Sequence, residues 1–563
     1  MTPRNAATAL AATVVDELVR GGLRHLVLSP GSRSAALAFA AHRAAEDGRL
    51  TLHTRLDERT AAFLALGLAR TSRTPVGVLT TSGTAAVHLH AAVLEASHAG
   101  IALVALTADR PAHLRGTGAN QTTEQAGLFG GAVRLAADVV APVPGHRETE
   151  QVREWRSLTG RAVLTATGHG TAPRGPVHLN LQLDGPQTPD TPDGWSTPTD
   201  GRLDDAPWTT VDDSTTPETL DLSDSRCTVV VAGDDAGPPA RVLAEAGGWP
   251  LLAEPSSGSR TGANAIRTYR LLLGDEDLAG RVERVVVGGH PTLSRPVTRL
   301  LSRPDVEVVA LRGPGDPPWT DPGHTVSRVV TRATADGRGD TWLQEWLDRD
   351  EAVGGALDDL LERREGLTPP EVAGEVANAL PDGGLLHVGA SNPVRDLDLM
   401  VPRYPVGGRR MVVANRGLAG IDGTLSSAIG AALGRPRSTR SLALVGDVTF
   451  LHDLTGLVIG PDEARPDLTV VVVNDDGGSI FALLEQGSPE HAASYDKLFG
   501  TPHGADLSGL CGAVGVAHTR VTTRQALGEA VGRAPSGIEV VEAVVRRDDR
   551  RELDAAIRSL VAG

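Results

Sequence analysis

The chain has 563 residues, long enough for several domains at about 150 residues each. Its formal charge of -16 excludes nucleic acid as a main partner, because neutralising phosphates takes a basic surface. No run reaches the ~20 apolar residues of a membrane span, and the opening MTPRNAATALAATVVDELVR lacks a charged-then-apolar leader layout, so a soluble, cytoplasmic protein is expected.

Residue usage narrows the chemistry further. Cys227 and Cys511 lie too far apart to form a zinc motif. Lys497 is the only lysine, and its setting, ASYDKLFG, has no glycine-rich neighbour, which excludes a P-loop. A Schiff-base lysine would have to be this one residue. Positive charge falls to arginine, which suits bidentate grips on carboxylate or phosphate.

In chain order, HLVLSP, PVGVLTTS and IALVALTADR read as buried strands, each followed by a turn and a helix-like segment. Between the first two lies HTRLDERTAAFLALGLAR (53–70), where charge stops abruptly and a buried helix begins. Asp57 there reads as an N-cap and Glu58 as a favourable charge against the helix dipole. Residues 186–226, rich in Pro, Asp and Thr, read as a linker. Strands resume at CTVVVAGDD, WPLLAEP, RVVVGGHP and VEVVALRG. After the helical stretch TWLQEWLDRDEAVGGALDDLLERREG, a third series runs through GLLHVGAS, RMVVANRG, SLALVGD, LTVVVVND and IEVVEAVV.

The alternation predicts three consecutive α/β domains with mainly parallel sheets: 1–185, a linker at 186–226, 227–345 and 346–563. Open parallel sheets bind ligands beyond the carboxyl ends of their strands. The polar clusters SPGSRS, TADRP, NRGLAGIDG and GD all fall at such exits.

Asp447 ends one strand of the third series, and Asn474-Asp475-Asp476-Gly477 ends the next. Hard oxygen ligands on adjacent strand ends, with a glycine for close backbone approach, suit a magnesium ion that also holds a diphosphate. Ordinary Asp/Gly turn chemistry would give the same letters.

GD followed by NDDGG at this spacing resembles the cofactor motif of thiamine-diphosphate-dependent decarboxylases and carboligases. That resemblance implies a thiamine-diphosphate-binding fold, with Asp447, Asp475 and the carbonyl of Gly477 as ligands to Mg2+ (or Mn2+). Two departures stand out: Val448 replaces the usual Gly, and Asp475 the usual second Asn. Six further stretches narrow the likeness: LSPGSRSAALAFAAHR, DERTAAFLALGLA, TTSGTAAVHLHAAVLEA, LTADRPAHLRGTGANQT, NRGLAGIDGTLSSAIGAA and NDDGGSIFALLEQG. In this order they resemble the 2-succinyl-5-enolpyruvyl-6-hydroxy-3-cyclohexene-1-carboxylate synthases of menaquinone biosynthesis, through the first and third domains.

The resemblance implies decarboxylation of 2-oxoglutarate and conjugate addition of the succinyl carbanion equivalent to isochorismate. It makes the first domain pyrimidine-binding and the third diphosphate-binding, with active sites between chains of a homodimer or homotetramer. Glu58 would contact the aminopyrimidine ring and share a proton with it, since a carboxyl beside apolar residues has raised proton affinity. Ser32, Arg33, Arg110, Asn120 and Gln121 would face isochorismate. Ser391, Arg395 and Arg416 would face 2-oxoglutarate, with Ser391 also beside the cofactor. Ile421 would hold the cofactor bent. Ile480 and Phe481 would lie near it, Leu484 near the succinyl chain, and Arg295 would reach in from the middle domain.

Each residue has a plainer reading. GSRS can cap a helix, Arg110 can pair with a surface acid, NPVRDLD can be a solvated helix face, and Ile421, Ile480, Phe481 and Leu484 can be core. Their joint fit to one polyanionic reaction favours the functional reading. Another thiamine-dependent 2-oxo-acid decarboxylase or carboligase, and a catalytically silent binding protein of the same fold, remain alternatives. A nicotinamide-binding Rossmann protein is poorly supported, because no Gly-x-Gly-x-x-Gly with a downstream acid is present.

Overall fold

Runs of β-branched residues with apolar character on both faces fold as central parallel strands, which must be covered by helices on each side. The computed structural model describes residues 5–169, 172–211, 219–337, 341–401 and 403–561. In the first domain the strands are β1 (His25–Leu28), β2 (Thr51–Thr54), β3 (Val76–Thr80), β4 (Leu103–Asp109), β5 (Leu135–Val139) and β6 (Val177–Gln182). They pair in parallel in the order β2-β1-β3-β4-β6-β5.

The middle region contributes β7 (Thr219–Asp221), β8 (Thr228–Ala232), β9 (Leu251–Ala253), β10 (Arg284–Gly288), β11 (Glu307–Leu311), β12 (Val326–Val330) and β13 (Arg332–Thr334). Five of these form the sheet β12-β11-β10-β8-β9, while β7 and β13 pair separately. The third domain has β14 (Leu385–Val388), β15 (Met411–Val413), β16 (Ser441–Gly446), β17 (Leu468–Asn474), β18 (Ala517–Val521) and β19 (Ile538–Val544). Their order, β15-β14-β16-β17-β19-β18, repeats that of the first domain strand for strand. Both sheets therefore reverse direction of growth next to their first strand, which opens a ligand crevice at equivalent places.

The first and third domains share one core. Val27 and Val78 of the first sheet and Val445, Val470 and Val540 of the third belong to the same buried cluster. Between them lie two helices, Glu58–Ser72 and Thr424–Gly434. Every residue from Thr60 to Thr71 is buried, which explains why the helix is apolar all round rather than on one stripe. The two backbones nearly touch: a Cβ on Gly67 would lie 2.1 Å from the Ser427 carbonyl oxygen, and one on Gly430 would lie 2.1 Å from that of Leu64.

Two expected boundaries differ from the structure. A break at 345/346 would cut the helix Thr341–Glu362. Trp342, Trp346 and Val353 of that helix pack into the middle domain, and Leu357 and Leu361 against Leu399, Leu553 and Ile557 of the third. It is thus a brace between the two domains. The 186–226 segment is not a free tether over its described part. Trp195 is buried against Trp155 of the first domain, ring centroids 5.6 Å apart, and β7 pairs with β13. Residues 212–218 of that segment lie outside the described residues.

Candidate active site

The third domain builds the centre of the site at the ends of β16 and β17. Asp447 follows β16 directly and is 2 % exposed. One of its carboxylate oxygens accepts from the Val448 N–H at 2.7 Å; the other accepts from the Gly477 N–H at 2.9 Å and lies 3.1 Å from His503 Nε2. Val448 lies in the short helix Asp447–His452 without a positive φ, so nothing in the backbone there requires glycine. Gly477 is different. Its φ is +139°, and a Cβ would meet the Gly500 carbonyl oxygen at 2.1 Å.

Asp475, beyond β17, is also buried. Burial, and then the nearby charge of Asp447, push its carboxyl up to about 7, against a hydrogen bond from Ser479 and the charges of Arg550 and Arg547. Burial likewise raises Asp447, opposed by the N–H groups of Gly477 and Val448 and by His503. Two neighbouring buried carboxyls that resist ionisation define a place short of positive charge. With the Gly477 carbonyl they suit a hard divalent cation that takes its remaining oxygen ligands from a diphosphate. The residues present fit magnesium and thiamine diphosphate.

A second cluster adjoins the first. Ser479 Oγ, beside Asp475, accepts from Asn392 Nδ2 at 3.0 Å. The preceding Ser391 has φ 72°, ψ -137°, a conformation costing a non-glycine residue about 1–3 kcal/mol and commonest at functional sites. Its carbonyl accepts from Arg395 Nη1 at 2.6 Å. Ile480 and Leu484, on and beside the turn Ser479–Leu483, are half-buried and line a cavity with Arg395 and Arg295; neither joins a hydrophobic core. Phe481 is exposed, its ring centroid 5.9 Å from that of Phe499.

Arg416 and Ile421 lie on the loop between β15 and the helix Thr424–Gly434. Arg416 is buried, and its Nη2 donates to Thr292 Oγ1 of the middle domain at 2.9 Å. The turn after Ile421 presses on the first domain, since a Cβ on Gly423 would collide with the Phe63 ring. Glu95 of the first domain accepts the N–H groups of Gly417 and Leu418, and its burial raises its pKa against those two bonds. Sequence reasoning missed Glu95, His503 and Asn392. Only Asn392 carried a signal, its place directly after Ser391.

The third cluster is in the first domain. Arg33 follows β1 and Arg110 follows β4. Burial and then the Arg110 charge lower the pKa of Arg33, which places the two guanidinium groups in one field. Arg110 Nε donates to the Asn120 carbonyl at 3.1 Å, Gln121 exchanges hydrogen bonds with Ser82, and Ser32 is exposed beside Arg33. Glu58 opens its helix, half-buried, without a hydrogen bond or ion pair among the described residues. Asp57 caps the helix, accepting from Arg59 and Thr60 N–H groups at 2.8 and 3.4 Å. Among the described residues no hydrogen bond or ion pair joins Glu58, Ser32, Arg33, Arg110, Asn120 or Gln121 to the third-domain clusters.

Twin parallel sheets, with a carboxylate-and-glycine cluster suited to a divalent cation at the strand ends of the third domain, are the architecture of a thiamine-diphosphate enzyme. Residues 8–128 match the family described as thiamine pyrophosphate enzyme, N-terminal TPP binding domain, and residues 399–544 its C-terminal TPP binding counterpart. The fold is similar to benzoylformate decarboxylase from Polynucleobacter necessarius, with TM-score 0.66 and 18% identity over 97% of this chain and 99% of that one. The chain is 58% identical to the 2-succinyl-5-enolpyruvyl-6-hydroxy-3-cyclohexene-1-carboxylate synthase of Nocardioides sp. over 98% of each chain. It is 50% identical to that of Kineococcus radiotolerans over 99% of this chain and 100% of the relative, and 46% to that of Saccharopolyspora erythraea over the same shares. It belongs to the 2-succinyl-5-enolpyruvyl-6-hydroxy-3-cyclohexene-1-carboxylate synthase family.

Proposed function

We propose that the chain decarboxylates 2-oxoglutarate and adds the remaining succinyl unit to isochorismate, giving 2-succinyl-5-enolpyruvyl-6-hydroxy-3-cyclohexene-1-carboxylate for menaquinone biosynthesis in the cytoplasm. The observation that carries this reading is the full-length 58% identity to a synthase named for that product.

Thiamine diphosphate, when bound, supplies the electron sink that lets a 2-oxo acid lose carbon dioxide. Asp447, Asp475 and the Gly477 carbonyl would hold Mg2+ or Mn2+ and, with it, the diphosphate. Ile421 would support the cofactor. Glu58 holds and returns a proton at the pyrimidine ring, in keeping with a carboxyl that no donor among the described residues occupies. Ser391, Arg395 and Arg416 grip the carboxylates of 2-oxoglutarate, with Arg295 at the rim. Ile480, Phe481 and Leu484 cover the reacting chain and keep water out. Ser32, Arg33, Arg110, Asn120 and Gln121 bind isochorismate, a second polyanion that suits paired arginines. The lack, among the described residues, of a hydrogen bond or ion pair between the first-domain and third-domain clusters is in keeping with a homodimer, or a pair of dimers, whose sites join the two domains from different chains.

The test is incubation of purified protein with 2-oxoglutarate, isochorismate, thiamine diphosphate and magnesium. Carbon dioxide and the succinylated product are expected together. Neither appearing would sink the reading, and turnover of pyruvate instead would point to a different carboligase.

A further inference from the structure

A cavity of about 1120 Å3 opens between the middle and third domains. Arg395, Ile480 and Leu484, to which the proposed function gives 2-oxoglutarate, line part of it and are half-buried. It exceeds the 300–1,000 Å3 or so that accommodates a drug-sized ligand, and a small dicarboxylate needs far less. The helices Tyr269–Leu272 and Arg295–Leu301 line another part, where Arg299 is exposed.

The charge of this cavity is unusual for a chain of net charge -16. Seven arginines and three acids line the whole cavity. Asp396 and Asp554 are taken by Arg550 and Arg558 at 2.6 and 2.7 Å, which leaves Glu276. Arg270, by contrast, has no hydrogen bond among the described residues. Its Nε is 3.9 Å from Asp398 Oδ2, while Arg260 and the Tyr269 hydroxyl both bind the other oxygen of that carboxylate, at 3.0 and 2.9 Å. The Arg299 side chain has neither hydrogen bond nor ion pair among the described residues.

Local structure accounts for these arginines in part: Arg270 and Arg299 stand in the last turns of their helices, where a cation is favoured, and Arg295 lies 4.0 Å from Glu485. Arg295 and Arg299 stand four apart on one helix, where like charges cost about 0.2–0.5 kcal/mol. Arg270 also adds to the positive field at Arg395. Arginines that repel one another across a shared cavity are expected where an anion compensates them.

We propose that Arg270 and Arg299 form an outer docking subsite that captures the dicarboxylate substrate from solvent and passes it inward to Arg395. The inference rests on the function proposed above. A basic funnel with low-dielectric walls concentrates anions and raises their arrival rate, and because Arg299 is exposed, salt weakens it. Arg270 and Arg299 act before the chemistry. Their loss reduces capture and leaves the later steps intact.

The test is steady-state kinetics of Arg270→Gln, Arg299→Gln and the double variant, with isochorismate saturating and sodium chloride varied. In the double variant kcat/KM for 2-oxoglutarate is expected to fall about tenfold at low salt, the lower end of such steering effects. Its salt dependence flattens, kcat and the KM for isochorismate hold, and Arg→Lys at both positions restores most of the loss. Unchanged kcat/KM and salt slope, or a fall in kcat alone, would overturn the proposal. Arg299 is exposed, so its single variant reports even where Arg270→Gln lowers the melting temperature. Should the wild type turn over neither substrate, the function reading fails by itself, and calorimetry with the unreactive dicarboxylate glutarate decides the subsite. Weaker binding by the double variant supports it; equal binding removes it.

Discussion

Glu95 in the first domain and Gly417 in the third are joined by a 2.6 Å hydrogen bond from the glycine N–H to one carboxylate oxygen, while the other oxygen takes the Leu418 N–H at 2.7 Å. The loop so held carries Arg416, whose guanidinium reaches Thr292 of the middle domain. All three domains therefore meet at one arginine. Glu95→Gln keeps the shape but can accept only one N–H, leaving the other facing an amide NH2. Hydrogen bonds to a charged group contribute about 1.5–3 kcal/mol, so urea unfolding should show a loss near 2 kcal/mol. The KM for 2-oxoglutarate should rise several-fold, with a smaller change in kcat. Unchanged stability and KM would mean that the loop needs no anchor.

Asp475 stands where related motifs carry Asn, and its burial beside Asp447 is costly without a cation. In metal-free buffer at neutral pH Asp475→Asn should raise stability, by about 1–2 kcal/mol once the coupling of this buried carboxyl to Asp447 is allowed for. With thiamine diphosphate present, the same variant should need about tenfold more magnesium for half-maximal activity, within the range seen when metal sites are altered. Thermal unfolding in chelator and a magnesium titration measure the two effects, which have opposite sign.

Much of this architecture was legible from local pattern, because strands such as LTVVVVN are buried on both faces and carry their apolar residues without interruption. Asp57 was legible as a cap because capping is local. What escaped was non-local. Glu95 in AAVLEASHAG looks like a solvated helix position, yet its partner is a backbone N–H 322 residues away. Arg270 in RTYRLLLGDED is equally ordinary until the middle and third domains close around it. The 345/346 boundary failed for a related reason: one helix serves two cores, and composition does not change where its loyalty does. Ile480 and Leu484 have core-like letters but line a cavity, a distinction that spacing does not encode.

Glu254 of the middle domain gives a pH signature. It is 2 % exposed; one oxygen accepts the Leu293 N–H at 2.9 Å and the other has no partner among the described residues. Burial pushes its carboxyl from the ordinary 4.5 up to about 8, with the Arg416 charge opposing. A carboxyl with a higher pKa folded than unfolded binds its proton more tightly in the fold. Its stabilisation is complete below the unfolded value and is lost as pH rises towards 8. Wild-type stability should therefore decline between about pH 5 and 8 relative to Glu254→Gln, which keeps the Leu293 bond and cannot ionise. Urea midpoints across that range test it, and parallel curves would show that Glu254 does not titrate there.

Glu58 and Asp57 sit side by side at a helix start, and substitution should separate their roles. Asp57→Ala removes the cap and should cost about 1 kcal/mol. Glu58→Gln removes no hydrogen bond among the described residues, so stability and thiamine diphosphate affinity should stay near wild type. Turnover of 2-oxoglutarate with isochorismate should nonetheless fall by about 10²–10⁴, the usual contribution of a positioned acid–base group. Fluorescence titration of cofactor and a product assay on the same preparation give both numbers. Near-normal turnover would return Glu58 to the plainer part of a charge at a helix end. A fall in activity that followed cofactor loss would make it a binding group rather than a proton carrier.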